Sequence, residues 1–458
     1  MNTNVVILAA GLGTRMKSKR AKVLHRAGGL TLVEHAVNAA SGVTTPDRIV
    51  VVVGHQAEQA KAVLAPYGVR FAVQTEQKGT GHALRTCRDA VPQDGLLVVG
   101  YGDVPLLAAS TFQRLIETQA ASGAAATLIT TRLADPSGYG RVLLDAEGSV
   151  LAIVEQKAAT PDQLAIDLIN SGIYCFRSDL LWNYIDRIEP NNPAHEYYLT
   201  DMAEILNGAG YKLGHLEIAD PTELLGINTR LELAAVDRIL RERKVRQLML
   251  DGVTIEKPET VTIDAGVTIG RDTIVEPFTR ILGKTVIGED CLIGSCSIVS
   301  DSVLGDGVEI GPFTHITSCR FEAGAHAGPF ARLRMGAQVG ENARIGNFVE
   351  LKKTRMGKGA KANHLAYLGD SSIGDKANIG AGTITCNYDG KNKYPTTIGN
   401  GAFIGSNATL VAPVEIGENS YVGAGSVITD AVPADALALG RGRQVVKEGW
   451  AAKRRSGA

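Results

Sequence analysis

VTIDAGVTIGRDTIVEPFTRILGKTVIGEDCLIGSCSIV, residues 261–299, decides the fold of the chain's second half. Ile263, Ile269, Val275, Ile281, Ile287, Ile293 and Val299 stand six apart. The series slips by one residue to Leu304, Ile310 and Ile316. It returns as Leu333, Val339, Ile345 and Leu351, and again from Ile398 to Ile428. A period of six fits neither a helix nor an ordinary amphipathic strand. It fits a parallel β-helix, in which short strands alternate with tight turns. One aliphatic side chain per hexapeptide points inward, and the glycine that often follows, as in Ile269-Gly270, lets the backbone turn. Three hexapeptides, about 18 residues, would close one coil, so 251–430 predicts about ten coils stable only on one another. A glycine-rich β-sandwich would instead show period-two alternation with irregular turns.

Composition agrees with a composite chain. Its 458 residues exceed one ordinary core. Of 52 glycines, 31 follow residue 250, which marks a boundary there. A net charge of −1 gives no bulk support for a nucleic-acid partner. The six cysteines form no CxxC pair and no zinc pattern, and Cys291 and Cys296 read as small wall residues of the coil. No apolar run is long enough to span a bilayer, and the N-terminus shows no basic leader, so the expectation is cytoplasmic with no integral membrane association.

Outward from the repeats lies an α/β region. VVILAA, residues 5–10, reads as a buried strand running into Gly11-Leu12-Gly13-Thr14-Arg15-Met16. Helical and strand patterns then alternate to Gly102-Asp103, predicting a mostly parallel, Rossmann-like sheet whose ligands gather beyond its carboxyl ends. Gly11 and Gly13 can bring backbone close to phosphate oxygens, and Arg15 and Lys22 can add charge. Asp103 either caps the next helix or faces Mg²⁺, which accepts carboxylate and phosphate oxygens together. Asn228 either caps a helix beginning near Thr229 or gives its amide oxygen to the same metal.

LAAGLGTRM with Lys22, QTEQKGTGHA at 74–83 and GDVPL at 102–106 together resemble the sugar-1-phosphate nucleotidyltransferases. GYGR at 138–141, IVEQK at 153–157, INSGIY at 169–174, EYYLTD at 196–201 and GIN at 226–228 extend the resemblance. It implies that Leu8, Gly11, Gly13, Lys22, Gln74, Gly79 and Thr80 bind UTP, with Arg15 and Lys22 catalytic. It implies sugar contacts from Gly140, Glu155, Asn170 and Asn228, and Mg²⁺ ligation by Asp103 and Asn228. One departure stands out: the family's proline before the lysine is Ala21 here, which frees φ, restores an N–H and predicts a more mobile loop.

Residues 229–249 hold strong helix formers and neither glycine nor proline. Leu231, Leu233, Val236, Ile239, Leu240, Val245, Leu248 and Met249 predict an apolar stripe on a connector helix at 229–250, between domains at 1–228 and 251–458. The repeat becomes indistinct at 317–332 and breaks at 384–397, predicting loops that leave the rod.

RLRMGA at 332–337, ELKKT at 350–354, KANHLAYLGD at 361–370, NIGAGTITCNYDG at 378–390 and FIGSNATLVAPVEIG at 403–417 follow in order. With the hexapeptides, they resemble the left-handed β-helix acyltransferases. Over residues 4–450 the chain resembles the bacterial bifunctional N-acetylglucosamine-1-phosphate uridyltransferase/glucosamine-1-phosphate N-acetyltransferases. That resemblance implies a homotrimer acting on small molecules, using acetyl-CoA and UTP, and making UDP-N-acetylglucosamine. It makes His364 the catalytic base, since an imidazole suits removal of an ammonium proton. Arg334, Lys352, Tyr367 and Asn378 then hold the sugar phosphate, while Ala381, Asn387, Tyr388, Ser406, Ala424 and Arg441 line the acetyl-CoA groove. Asn387 and Tyr388 also match sugar- or reaction-positioning places. Related chains with other nucleotide sugars, or a scaffold of retired domains, are the rival readings.

Overall fold

The computed structural model describes residues 2–192, 195–455 and 457, which divide into compact units Met1–Leu240 and Arg241–Ala458. In the first, Ile49–Val53 is buried at every residue, as a strand covered on both faces requires. Thr3–Leu8 pairs in parallel with Ile49–Val53 and with Leu96–Tyr101, and Arg70–Val73 extends the parallel run. Beyond Leu96–Tyr101 the sheet turns mixed, because the long strand Leu168–Arg177 runs antiparallel to it and to Ala126–Arg132. Ala126–Arg132 runs with the first four strands again and pairs in parallel with Leu213–Glu217, so along this path only Leu168–Arg177 is reversed and the expectation of a mostly parallel sheet holds. Leu8, Val73 and Tyr101 all end at the same carboxyl edge, so the segments that follow them converge.

The second unit is a left-handed parallel β-helix whose three sheets hold 11, 10 and 9 strands. Most strands are two or three residues long, and in most of them the second residue points in: Ile263, Ile281, Val299, Ile316, Leu333 and Leu351 are each 0% exposed. Burying such a side chain is worth about 1.5–3 kcal/mol, and each does so only against the coils above and below. The predicted break at 317–332 is corrected: Arg320–Phe321, His326–Ala327 and Arg332–Arg334 are regular coil strands. Phe321 and Ala327 take the inward places there, 2% and 0% exposed, so the coil continues while the aliphatic pattern lapses. The later break is real, and Asn378 pairs across a lengthened coil with Phe403. Its insertion is a closed hairpin: the Tyr394 amide donates to the Asn387 carbonyl, and the Asp389 carboxylate accepts from the amides of Lys391 and Asn392. Cys291 is a buried wall residue as expected, whereas Cys296 sits at a coil corner with φ 59°.

The connector is one helix, Arg230–Leu250. Its stripe is not continuous. Val236 packs into the first unit and Val245 and Leu248 into the second, while Leu231 and Met249 are exposed. Each end serves a different core, so no single face runs its length.

Candidate active sites

In the first unit, Leu8, Gly11, Lys22, Gln74, Gly79, Thr80 and Asp103 line one cavity of about 390 Å³ at the carboxyl edge of the sheet. Two glycines are sterically required. Gly13 has φ 62° and packs on the Lys22 side chain, while Gly79 has φ 99° and abuts the Tyr197 backbone. The Lys22 ammonium contacts the Asp103 carboxylate and donates to Asn228 Oδ1 at 3.1 Å. The Ile227 amide donates to the Asp103 carbonyl at 2.9 Å, which brings these distant segments together.

Neither Asp103 nor Asn228 caps a helix with its side chain. The connector helix is capped by Thr229, whose hydroxyl accepts from the Glu232 amide while Glu232 accepts from the amides of Asn228 and Thr229. Asn228's amide oxygen is left to face Lys22. Asp103 lies well before the next helix, Ala109–Ser122, which has no side-chain cap. Ala21 corrects the expectation of a looser loop. It is buried, its φ of −55° is close to proline's, and its N–H donates to Gln56 Oε1 at 2.7 Å. Arg15 does not join the cavity; it is exposed on the short 3-10 turn Thr14–Met16.

Gln74 is buried, and its amide nitrogen lies 3.2 Å from the Gly79 carbonyl and 3.0 Å from His82 Nδ1. Both partners engage the NH₂ end and leave Oε1 for another donor. His82 thus positions Gln74. The Thr80 hydroxyl accepts from the Leu199 amide, tying the EYYLTD segment to the cavity.

Gly140, Glu155 and Asn170 also come together. The Asn170 amide donates to the Gly140 carbonyl at 2.9 Å, and Glu155 closes over Gly140. Burial pushes the Glu155 carboxyl up from its ordinary value. Asp201, missed in the sequence, is pushed up to about 6, first by burial and then by Glu204 and Glu155. The folded chain therefore holds this proton more tightly than the unfolded chain, where an aspartate titrates near about 4. The stability so gained at low pH is lost as pH rises from about 4 through about 6. Asp201→Asn should raise the Tm of the first unit at pH 7.5 by about 2–4 °C, after discounting for a half-exposed site, with almost no change at pH 4.5. Thermal melts at both pH values check this; an equal shift at both would contradict it.

In the β-helix, parallel in-register pairing stacks Arg334, Lys352 and Gly369 in one column. Gly369 leaves room that the side chains of Tyr367 and Asn387 occupy. Lys352, 4% exposed, donates to Asp370 at 2.7 Å, and Asn387 donates to the same carboxylate oxygen. Burial alone would raise the Asp370 carboxyl, but the hydrogen bonds from Lys352 and Asn387 outweigh it and hold the group below its ordinary value. Arg334 donates from Nε to Glu350 at 2.7 Å. Lys393, on the inserted hairpin, lies beside Lys352, which pulls its ammonium below the usual range. Sequence reasoning singled out neither Asp370 nor Lys393, because both meet Lys352 across coils.

His364 ends a strand of the neighbouring sheet, is exposed, and bonds through Nδ1 to Asn347 Oδ1 at 2.8 Å. Register continues its corner of the coil through Ala381, Ser406 and Ala424. The succeeding corner residues are Phe313, Phe330, Phe348 and Leu365 before and at the His364 coil, then Gly382, Asn407 and Gly425 beyond it. The corner therefore passes from bulky to small side chains at His364. Asn378 lies on the adjoining strand. Tyr388 is exposed on the hairpin, and Arg441 follows the last coil strand, Leu437–Ala438.

The MobA-like NTP transferase domain family matches residues 5–166, and the bacterial transferase hexapeptide family matches 266–301, 284–318 and 395–430. Over 98% of its length the chain is 61% identical to the bifunctional protein GlmU of Solibacter usitatus, covering 97% of that protein. It is 51% identical to that of Koribacter versatilis, over 100% of this chain and 99% of the relative. It is 49% identical to that of Anaeromyxobacter sp., over 98% and 93%. Full-length identity of this order carries both units together, and the chain belongs to the GlmU family of bifunctional uridyltransferase–acetyltransferases.

Proposed function

We propose that the enzyme makes UDP-N-acetylglucosamine in two steps at separate sites. In the β-helix, His364 takes a proton from the amine of glucosamine-1-phosphate as the nitrogen attacks the acetyl thioester of acetyl-CoA. The C–N bond forms, the C–S bond breaks and CoA leaves. In the first unit, the phosphate of the resulting N-acetylglucosamine-1-phosphate attacks the α-phosphorus of UTP, and pyrophosphate leaves. The observation that carries the acetyl-transfer half is the crowding of Lys352 and Lys393, with Arg334 one coil away, a cluster that a sugar-phosphate dianion would relieve. The small residues Ala381, Ser406 and Ala424, which continue the His364 corner from coil to coil, suit the passage of the CoA arm, and Asn387, Tyr388 and Arg441 would contact it.

Asp103 and Asn228 fit a magnesium site: their oxygens converge on one position, and the Lys22 ammonium stands there as an internal cation. Magnesium, when bound, would neutralise phosphate charge. Lys22 would then be released toward the triphosphate, and Gln74 would read the base. Leu8, Gly11, Gly13, Gly79 and Thr80 shape the nucleotide cavity; Gly140, Glu155 and Asn170 form the sugar pocket; Arg15 would close on phosphate from its exposed turn.

We assign the enzyme to the cytoplasm as a homotrimer; no helix among the described residues is long and apolar enough to cross a membrane. The exposed rings of Phe313, Phe330 and Phe348 stack at 5.1 and 5.3 Å along one corner of the rod, ending at Leu365 beside His364. This apolar ladder favours coverage by a second copy of the chain. Phe330→Asp with Phe348→Asp should convert trimer to monomer in light-scattering chromatography and reduce acetyl transfer at least tenfold. A trimer that persists would contradict this use of the corner.

A product time course tests the function itself. Glucosamine-1-phosphate, acetyl-CoA, UTP and Mg²⁺ should give transient N-acetylglucosamine-1-phosphate, then UDP-N-acetylglucosamine. Nucleotide transfer without any amine acetylation would leave only the first unit's assignment.

A further inference from the structure

We infer that Asn347 is the positioning residue that makes Nε2 of His364 the proton acceptor. This rests on the acetyl-transfer reading above. The two residues are register partners on adjoining coils, at the ends of strands Arg344–Asn347 and Lys361–His364. Gly346, just before Asn347, lies so close to the Asn363 carbonyl that a Cβ there would collide with it. The glycine therefore permits the tight approach that sets the Asn347 amide over the imidazole. The bond from His364 Nδ1 to Asn347 Oδ1 is 2.8 Å.

The chemistry follows from which atom of the amide meets the ring. A carbonyl oxygen can only accept, so it requires the proton on Nδ1. The neutral ring then carries its free lone pair on Nε2, the nitrogen not engaged with Asn347. Since His364 is exposed, that nitrogen is the one left for the substrate amine. Without this bond the ring would divide between tautomers, and the one protonated on Nε2 cannot take a proton there. The bond also fixes the ring's rotation on a short side chain.

An amide differs from a carboxylate in this place. A carboxylate would orient the ring equally well, but its charge would favour the imidazolium, which cannot act as a base. The strands packed against His364 bring no carboxylate. Their ionisable groups are Arg344 and Lys361, which are register partners, and the strand beyond supplies Asn378 and Ile379. Asn347 thus fixes the tautomer without adding negative charge.

Three measurements on the full-length protein test this. Nitrogen-15 NMR of histidine-labelled wild type should show His364 with its proton on Nδ1, assigned by loss of the signal in His364→Gln. A proton on Nε2 would overturn the inference whether or not the enzyme acetylates glucosamine-1-phosphate. Asn347→Ala should lower kcat for acetyl transfer about 10–100-fold while KM for both substrates changes less than about threefold. Unchanged kcat, or a loss confined to KM, would overturn it. Asn347→Asp, which keeps shape and acceptor, should recover most of the lost kcat at alkaline pH. It should also move the acidic limb of kcat/KM upward by about one pH unit. An acidic limb that stays in place would show that the two side chains do not interact and would overturn the inference. Because Asn347→Asp preserves the shape of the amide, it answers the question even if Asn347→Ala fails to fold.

Discussion

His364→Ala is expected to lower acetyl transfer by about 10²–10⁴-fold, the usual contribution of a positioned general base, and to leave uridylyl transfer at wild-type rate. His364 is exposed at a coil corner, so its side chain carries no core packing whose loss would unfold the rod. It belongs to the unit Arg241–Ala458, whereas the nucleotide cavity is built from residues of Met1–Leu240. Separate assays of the two half-reactions check this. A variant with an intact fold that loses both activities would contradict the separation of the sites.

Lys22→Gln is expected to lower uridylyl transfer by about 10²-fold or more and to leave acetylation intact. It removes the charge that, in the proposed reaction, turns from Asp103 and Asn228 to the triphosphate. It should also tighten divalent-ion binding in the nucleotide-free protein, because the ammonium that contacts Asp103 and Asn228 competes for the same oxygens. Mn²⁺ titration followed by electron paramagnetic resonance reads that affinity directly. Weaker ion binding in Lys22→Gln would mean that Lys22 supports the metal site instead of standing in for its ion.

The sequence carried the β-helix because one buried position recurs in every hexapeptide. It failed at 317–332 for a physical reason: the coil requires an inward apolar side chain, and an aromatic Phe321 and a small Ala327 satisfy it without the Ile, Leu or Val that marks the repeat elsewhere. The motif residues were legible wherever they follow a strand, as Asp103 and Gln74 do, since the carboxyl edge of the sheet gathers such positions. Partners were not. His82 on Gln74, Asp370 on Lys352, and Asn347 on His364 meet across turns or coils. Their pairing depends on register, which moves by a residue where coils shorten, as between Leu292 and Glu309. Ala21 misled because losing proline suggests freedom, whereas Gln56 captures the restored N–H. The connector stripe misled because a helix shared between two cores needs no single face.

Complementation tests the central claim most directly. His364→Ala and Lys22→Gln proteins would be assayed alone and mixed, with glucosamine-1-phosphate, acetyl-CoA, UTP and Mg²⁺. Neither alone should form UDP-N-acetylglucosamine at an appreciable rate, while the mixture should, after a lag as N-acetylglucosamine-1-phosphate is released by one protein and taken up by the other. A mixture as inactive as its components, although each retains its own half-reaction, would contradict two independent sites joined by a free intermediate.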